Sequence, residues 1–150
     1  MEHSPTRVRH LDELAEALPQ RAAHLTRLFL ARSSASLSRT EIGVLRVAVD
    51  GPQRIGDLAG AEGVTQPAIT LVVNRLTQRG WVRRMPDPGD GRAVLVAATT
   101  AGERVYDQLR TEYRALLHEE MATLNDEEVE TLARAVDILD RLADRLSEGA

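Results

Sequence analysis

Side chains that can form hydrogen bonds with the edges of DNA bases are concentrated between residues 65 and 92. Gln66 and Asn74 carry amides that match adenine, and Thr70 can contact a base or the methyl group of thymine. From residue 75 to residue 92 there are five arginines and only two aspartates. Because arginine binds phosphate and guanine in bidentate fashion, this segment predicts a surface for double-stranded DNA.

The arginines after residue 80 are expected to contact DNA in different ways. Arg92 is predicted to enter the minor groove, whose negative potential favours arginine. Its alternative role is an ion pair with Asp90 or Asp87 that holds the loop, and both roles are compatible if Asp90 orients the arginine. Arg83 and Arg84 lie on opposite faces of a strand, so at most one faces the duplex, and we assign Arg84.

Further DNA contacts are expected at helix starts. Thr65 is predicted to be an N-cap first and a DNA contact second, and Pro67 fits the first turn because it needs no N–H partner. Arg39 and Arg54 are expected to contact phosphates, and Arg75 is expected to act through a phosphate or an acidic partner. The alternative for the whole polar set is a solvated helix face with caps.

The elements that must position these residues follow in a characteristic order. A helix from Ser38 with the capping box Ser38/Glu41 precedes a short helix at 54–61 and a glycine-containing turn. The capped helix at 65–79 then leads through Gly80 to a strand, a loop at 86–92 and a second strand at 93–98. This order predicts a mainly α (α+β) fold, a winged helix-turn-helix with about six helices and a two- to three-stranded β-wing.

Long apolar-striped helices flank this lobe. The first, at 11–30, is interrupted by Pro19, which predicts a kink or two helices. Two more begin at the expected capping boxes Thr100/Glu103 and Asn125/Glu128. Because a lobe of about 60 residues buries most of its own apolar surface, we assign 37–100 to DNA binding and 1–36 with 101–150 to a homodimer. The alternative is a monomer with a C-terminal helical hairpin.

Composition restricts the function further. The net charge is −4, but residues 37–100 hold eight arginines against six acids, so the acidity belongs to the flanking helices. The absence of cysteine excludes disulfides, zinc–thiolate sites and thiol redox sensing. We find no metal-ligand spacing, cofactor motif or catalytic set, and we therefore expect a non-enzyme. No membrane-length apolar run or signal peptide is found, so a cytoplasmic location is expected.

These motifs resemble the MarR-type (multiple antibiotic resistance) winged-helix regulators. The similarity covers residues 37–102 and consists of LSRTEIGVL at 37–45, IGDLA at 55–59, VTQPAIT at 64–70, NRLTQRG at 74–80, DPGDGR at 87–92 and TTAG at 99–102. The resemblance implies a homodimeric repressor that binds a pseudo-palindromic operator. The wing departs from the family pattern by an extra glycine and by Pro86 and Pro88.

The resemblance also implies release from DNA by a small aromatic or phenolic anion. The polar residues that we consider for such an effector are His24, Arg27 and Arg46, each with a surface role as the alternative. The lack of cysteine argues against the peroxide-sensing branch. A second function class stays open, a winged helix that uses its wing for protein–protein contact and does not bind DNA.

Overall fold

The computed structural model describes residues 5–148, and the side chains of residues 5–146. The first four residues, which entered the signal-peptide prediction, lie outside the described range. The described residues form six helices and a three-stranded sheet: α1 (Pro5–Arg32), α2 (Arg39–Asp50), β1 (Gln53–Arg54), α3 (Ile55–Glu62), α4 (Gln66–Gln78), β2 (Val82–Asp87), β3 (Asp90–Ala98), α5 (Thr100–Met121) and α6 (Asp126–Glu148).

The helix α1 is longer than its apolar pattern predicted. It continues through Pro19, so the alternative of two helices meeting there is wrong. A proline removes only one backbone hydrogen bond of the ladder, and the other turns of this 28-residue helix remain. None of its described residues is buried, and Leu11, Leu14 and Leu25 are among its exposed apolar side chains.

The capping box of α2 is confirmed, but its buried face is not the predicted one. The N–H of Ser38 donates to the Glu41 carboxylate at 2.8 Å, and the N–H of Glu41 donates to the Ser38 hydroxyl at 3.3 Å. The apolar spacing of this helix predicts a buried stripe of Ile42, Leu45 and Val49, and it is only partly correct, because Leu45 is buried but Ile42 and Val49 are half-buried. The fully buried side is rotated by about one residue and includes Glu41.

Helices α3 and α4 form the helix-turn-helix. Gly63 adopts the left-handed conformation (φ 62°) that ends α3, and Thr65 caps α4 by accepting the N–H of Ala68 at 3.4 Å. The confirmed buried residues of α4 are Ile69, Val72, Val73 and Leu76, whereas Ala68, which was expected among them, is exposed. These residues join one core with α2, α3 and the sheet, whose members are Leu37, Val44, Leu45, Ala48, Leu58, Ala59, Ile69, Val72, Val73, Leu76, Val82 and Val96.

The wing is a more regular hairpin than its sequence indicated. The strands are antiparallel in the order β1-β3-β2, and β2 and β3 pair from Val82↔Ala98 to Asp87↔Asp90. The loop predicted at 86–92 therefore shrinks to a turn at Pro88 and Gly89. The strand β1 replaces the start of the predicted helix at Arg54, because its two residues pair with β3 and α3 begins at Ile55.

One of the two C-terminal capping boxes is confirmed. Asn125 and Glu128 exchange backbone-to-side-chain hydrogen bonds at 3.0 and 2.9 Å. The box expected at Thr100 is wrong, since Thr99 performs the capping. Its hydroxyl accepts the N–H of Gly102 at 3.1 Å and donates to the carbonyl of Gly80 at 2.6 Å.

By internal contacts the chain divides into two compact units, Met1–Thr111 and Glu112–Ala150, with the boundary inside α5. In α6 apolar residues recur at intervals of three or four residues, and they are exposed in the single chain. This set comprises Val129, Leu132, Val136, Leu139, Leu142 and Leu146. Among the described helices, none has both the length and the apolar character that a membrane crossing requires.

Candidate DNA-binding interface

The helix α4 presents an outward face opposite its buried face. At 100° per residue, Pro67, Leu71, Asn74 and Gln78 fall on the side of the helix away from the core. Leu71 has 60% of its surface exposed, although it is a large apolar residue. The sequence prediction for this helix did not include Leu71 or Gln78. Placing the buried residues on one side of a helical wheel would have identified both, because they lie seven residues apart on the opposite face.

The two polar residues near the start of α4 have different surroundings. The Thr70 hydroxyl donates to the carbonyl of Gln66 at 2.8 Å, so its proton is already used. Thr70 lies on the flank of the outward face, where it can offer lone pairs and its methyl group. The side chain of Gln66 lies near α3, since a Cβ built on Gly56 would be 3.2 Å from its Nε2 atom.

Asn74 connects the recognition helix to the wing. Its side-chain oxygen accepts a hydrogen bond from the Arg84 guanidinium at 2.8 Å. This contact joins two residues that were predicted separately to bind DNA, on α4 and on β2. Because the amide oxygen is engaged, the bidentate pairing with adenine that was expected of Asn74 requires this bond to rearrange. The amide nitrogen of Asn74 can donate to hydrogen-bond acceptors on base edges while the bond to Arg84 stays in place.

A buried carboxylate fixes α4 from behind. Glu41 is only 4% exposed and accepts a hydrogen bond from Arg75 at 3.3 Å, with Arg79 at 3.9 Å. Burial alone would raise the pKa of Glu41, but hydrogen bonds from Ser38 and Arg75 and the charge of Arg79 outweigh it and lower the pKa. The acidic partner expected for Arg75 is therefore Glu41, which joins the start of α2 to the recognition helix.

The second arginine of this cluster has additional contacts. Arg79 donates to the carbonyl of Ser36 at 3.1 Å, and its guanidinium lies 5.0 Å from the centre of the Trp81 ring. An arginine over the face of a tryptophan is stabilised by the ring quadrupole. The C-terminal end of α4 is thereby tied to both the segment before α2 and the start of the sheet.

We expect Glu41→Gln to destabilise the fold by about 2 kcal/mol, because it replaces charge-assisted hydrogen bonds at a buried site. Since the folded-state pKa of Glu41 is lowered, its stabilisation is complete above the ordinary value of 4.5 and is lost as the pH falls below it. When urea unfolding is measured between pH 3 and 7, the free energy of unfolding should therefore decrease less at low pH in Glu41→Gln than in the wild type.

The matched control is Glu130→Gln, which removes an exposed pairing with Arg134 at 3.9 Å. Exposed pairs of this kind contribute about 0–1 kcal/mol, so the control should leave the pH dependence unchanged. If the free energy of unfolding decreased equally at low pH in the wild type and in Glu41→Gln, the role assigned to the carboxylate would be contradicted.

The ion pair of the wing is not the predicted one. Arg54 donates from Nε to the Asp87 carboxylate at 2.8 Å, so β1 is joined to the end of β2. The N–H of Gly89 and then Arg54 lower the pKa of Asp87, and the Asp87 contact raises the pKa of Arg54. Asp90 accepts the backbone N–H of Arg92 at 3.1 Å, but within the described residues the two side chains form no salt bridge. The expected pairing of Asp90 with the Arg92 guanidinium is therefore wrong.

The remaining arginines of this surface are exposed. Arg92 is the third residue of β3, Arg83 and Arg84 lie on β2, and Arg39 is the first residue of α2. Arg54, which was assigned to a phosphate, is about half exposed but already paired with Asp87. Among the described residues, Arg39, Arg83 and Arg92 are thus exposed cations that form no salt bridge, whereas Arg54, Arg75 and Arg84 have protein partners.

The three residues considered for an effector are not brought to one cavity. His24 and Arg27 lie one turn apart on α1 with 3.5 Å between their nitrogens, and Arg46 is exposed on α2. A cavity of about 280 Å³ in the first unit has a different lining, composed of Ser34, Ala35, Arg104, Val105, Gln108 and Leu109. Arg104 was missed because no motif surrounds it in sequence, and Ser34 and Ala35 reach it only in the folded chain.

Comparison with known proteins decides the family. The MarR family model matches residues 37–94, which include the helix-turn-helix and most of the wing. An uncharacterized HTH-type transcriptional regulator of Mycobacterium bovis is 34% identical over 133 residues, 87% of this chain and 93% of its own length. The chain belongs to the MarR family.

Two solved structures share the fold of this chain. This chain matches the transcriptional regulator BldR of Sulfolobus solfataricus with a TM-score of 0.73 and 28% sequence identity. The match covers 89% of this chain and 97% of BldR. This chain has the fold of FabT of Streptococcus pneumoniae, solved in complex with DNA, with a TM-score of 0.69 and 17% identity over 93% and 99% of the two chains. This member of the MarR family is a transcriptional regulator with a DNA-binding winged helix, and it is not an enzyme.

Proposed function

We propose that the protein is a repressor that binds a pseudo-palindromic operator as a homodimer and leaves it when a small aromatic anion binds. The observation that supports DNA reading best is the outward face of α4 with the arginine-bearing wing beside it. Pro67, Leu71 and Asn74 face away from the core, and Arg84 links Asn74 to the wing. FabT, which shares this fold, was solved in complex with DNA, and this supports DNA binding by a chain of this fold.

The homodimer is supported by the apolar surface of the single chain. In α6, Val129, Leu132, Val136 and Leu139 follow the a and d spacing of a helix seam, with between 41% and 54% of each side chain exposed. In α1, Leu11, Leu14 and Leu18 also face solvent at 40–61% exposure. Apolar stripes of this length normally mark an interface, and a second copy of the chain carries the same stripes.

A two-fold dimer explains why the operator would be pseudo-palindromic. Two identical recognition helices related by a two-fold axis bind half-sites separated by about one helical turn, roughly 34–36 Å. Each lobe would then contribute its outward face of α4 to one major groove and its Arg92 to a neighbouring minor groove. The relative in Mycobacterium bovis is bacterial, and bacterial DNA lies in the cytoplasm, which supports the predicted location.

Release by an effector is supported by one cavity. Its apolar residues Val105 and Leu109 would accept an aromatic ring, and Arg104 would pair with a carboxylate or phenolate. We therefore shift the proposed effector site from His24, Arg27 and Arg46 to this cavity. In vitro transcription from an operator-bearing promoter should fall when the protein is added and recover with salicylate. Transcription that the protein does not lower would contradict the repressor role, and no recovery would contradict the effector.

Arg92→Ala should lower affinity for the operator about tenfold and reduce the salt slope of binding by about one unit, because one phosphate-proximal cation is removed. Fluorescence anisotropy with the operator and with a shuffled duplex measures both quantities. Arg110→Ala, an exposed arginine on α5 outside the binding lobe, is the matched control and should leave both unchanged. Unchanged affinity in Arg92→Ala would show that the wing does not contact the operator.

A further inference from the structure

The most exposed large apolar residue of the winged-helix lobe lies on its recognition helix. Leu71 is 60% exposed, whereas the apolar residues on either side of it in sequence, Ile69 and Val72, are buried to 0% and 5%. It lies opposite the core side of α4, so the fold of this lobe does not require it to be apolar. A polar or charged residue would suit this position better if it faced only water.

The surroundings of Leu71 indicate what kind of partner would cover it. Within one helical turn on the same face lie Pro67, Asn74 and Arg75, and the wing adds Arg84 beside Asn74. An apolar group surrounded by arginines and an amide fits a surface that is anionic but carries a local apolar group. An apolar protein surface would desolvate the Arg84 guanidinium, whose partner in the protein is the neutral Asn74, without supplying a counter-charge, and it is disfavoured.

Double-stranded DNA offers one such group in the major groove. The C5-methyl of thymine is the apolar feature among base edges that otherwise present hydrogen-bond donors and acceptors. Phosphates on both sides of the groove supply the negative charge for the arginines. Neighbouring Thr70 has its hydroxyl proton engaged with the Gln66 carbonyl at 2.8 Å, which leaves its methyl group as a further apolar contact.

We propose that Leu71 determines operator sequence by packing its side chain against thymine methyl groups in the major groove. This inference rests on the proposed function, because it names a base that the same recognition helix selects. It also separates roles along the outward face: Asn74 and the arginines supply polar and phosphate contacts, and Leu71 selects a base through shape and apolar contact.

The test replaces thymine with uracil, which removes only the methyl group. A high-affinity duplex is first selected from a random pool with the wild-type protein, and each thymine of a half-site is then changed to uracil in turn. At one or two positions, we expect wild-type affinity to fall about fourfold per methyl, the factor for one apolar carbon returned to water. Leu71→Ala should bind the thymine duplex about tenfold more weakly and should be insensitive to uracil at those positions.

The outcomes separate this inference from the function on which it rests. If no duplex is selected, the proposed operator binding fails. If a duplex is selected but Leu71→Ala keeps the uracil sensitivity of the wild type, or no position is sensitive, the role of Leu71 is overturned. Leu71→Met, which keeps an apolar side chain of similar volume, should retain most of the sensitivity and excludes a general effect of mutation on α4.

Discussion

Replacing Leu139 with glutamate is expected to convert the protein from a dimer to monomers and to lower operator affinity at least about 100-fold. Leu139 lies in the apolar seam of α6 between Val136 and Leu142, and 41% of its surface is exposed in the single chain. A second copy of the chain would bury it, and an unpaired carboxylate at that place costs several kcal/mol. The affinity falls because two linked lobes bind 10²–10⁴ times more tightly than one.

Sedimentation velocity at micromolar concentration measures the change in assembly, and anisotropy measures the change in affinity. Arg141→Glu is the matched control, because residue 141 lies about 200° around the helix from residue 139 and is exposed. It introduces the same carboxylate away from the seam and should remain dimeric. Dimeric Leu139→Glu would show that α6 does not form the interface.

Gly102→Ala should destabilise the fold by about 3 kcal/mol, although the residue lies in the first turn of α5 where alanine is normally favoured. A Cβ at this position would overlap the carbonyl oxygen of Trp81 and lie 2.8 Å from its carbonyl carbon. The backbone of Trp81 cannot move away easily. Its oxygen accepts the Thr99 N–H at 2.9 Å, and its own N–H donates to Leu76 at 2.9 Å.

Gly60→Ala is expected to have the opposite effect on the free energy of unfolding. Gly60 lies inside α3, and a Cβ there would meet no atom within 4 Å. Because glycine weakens a helix interior, this substitution should stabilise the fold by about 0.5–1 kcal/mol. Urea unfolding of both variants at equal protein concentration distinguishes close packing from helix propensity. A Gly102→Ala variant as stable as the wild type would show that α5 does not approach Trp81 this closely.

The predictable parts of the fold are those that depend on neighbouring residues. The caps at Ser38, Thr65 and Asn125 were correct because each cap side chain accepts the backbone N–H of the residue three positions later, which is a purely local contact. The cap of α5 was misplaced by one residue, since two threonines stand in a row and the tertiary bond from Thr99 to Gly80 decides between them. The sequence alone suggests only a turn glycine at residue 102, because it does not show how near Trp81 lies.

The parts of the site that were missed depend on contacts across long stretches of sequence. Glu41 and Arg75 are 34 residues apart, and Arg54 and Asp87 are 33 apart. Composition indicated a basic surface but could not show which arginines would be neutralised by these acids. Leu71 was missed because an apolar residue in a helix is expected to be buried. Only its position around the helix relative to the buried residues identifies it as outward-facing.

Selection of bound duplexes from a random pool by the wild-type protein tests whether this chain reads a two-fold symmetric operator. We expect enrichment of one two-fold symmetric sequence, with half-site centres about one helical turn apart and affinity that falls steeply with salt. We also expect binding of one dimer per duplex. Failure to enrich any sequence would contradict the conclusion that this protein recognises its operator through the outward face of α4 and the wing. Enrichment of a single asymmetric half-site bound by a monomer would contradict the two-fold dimer.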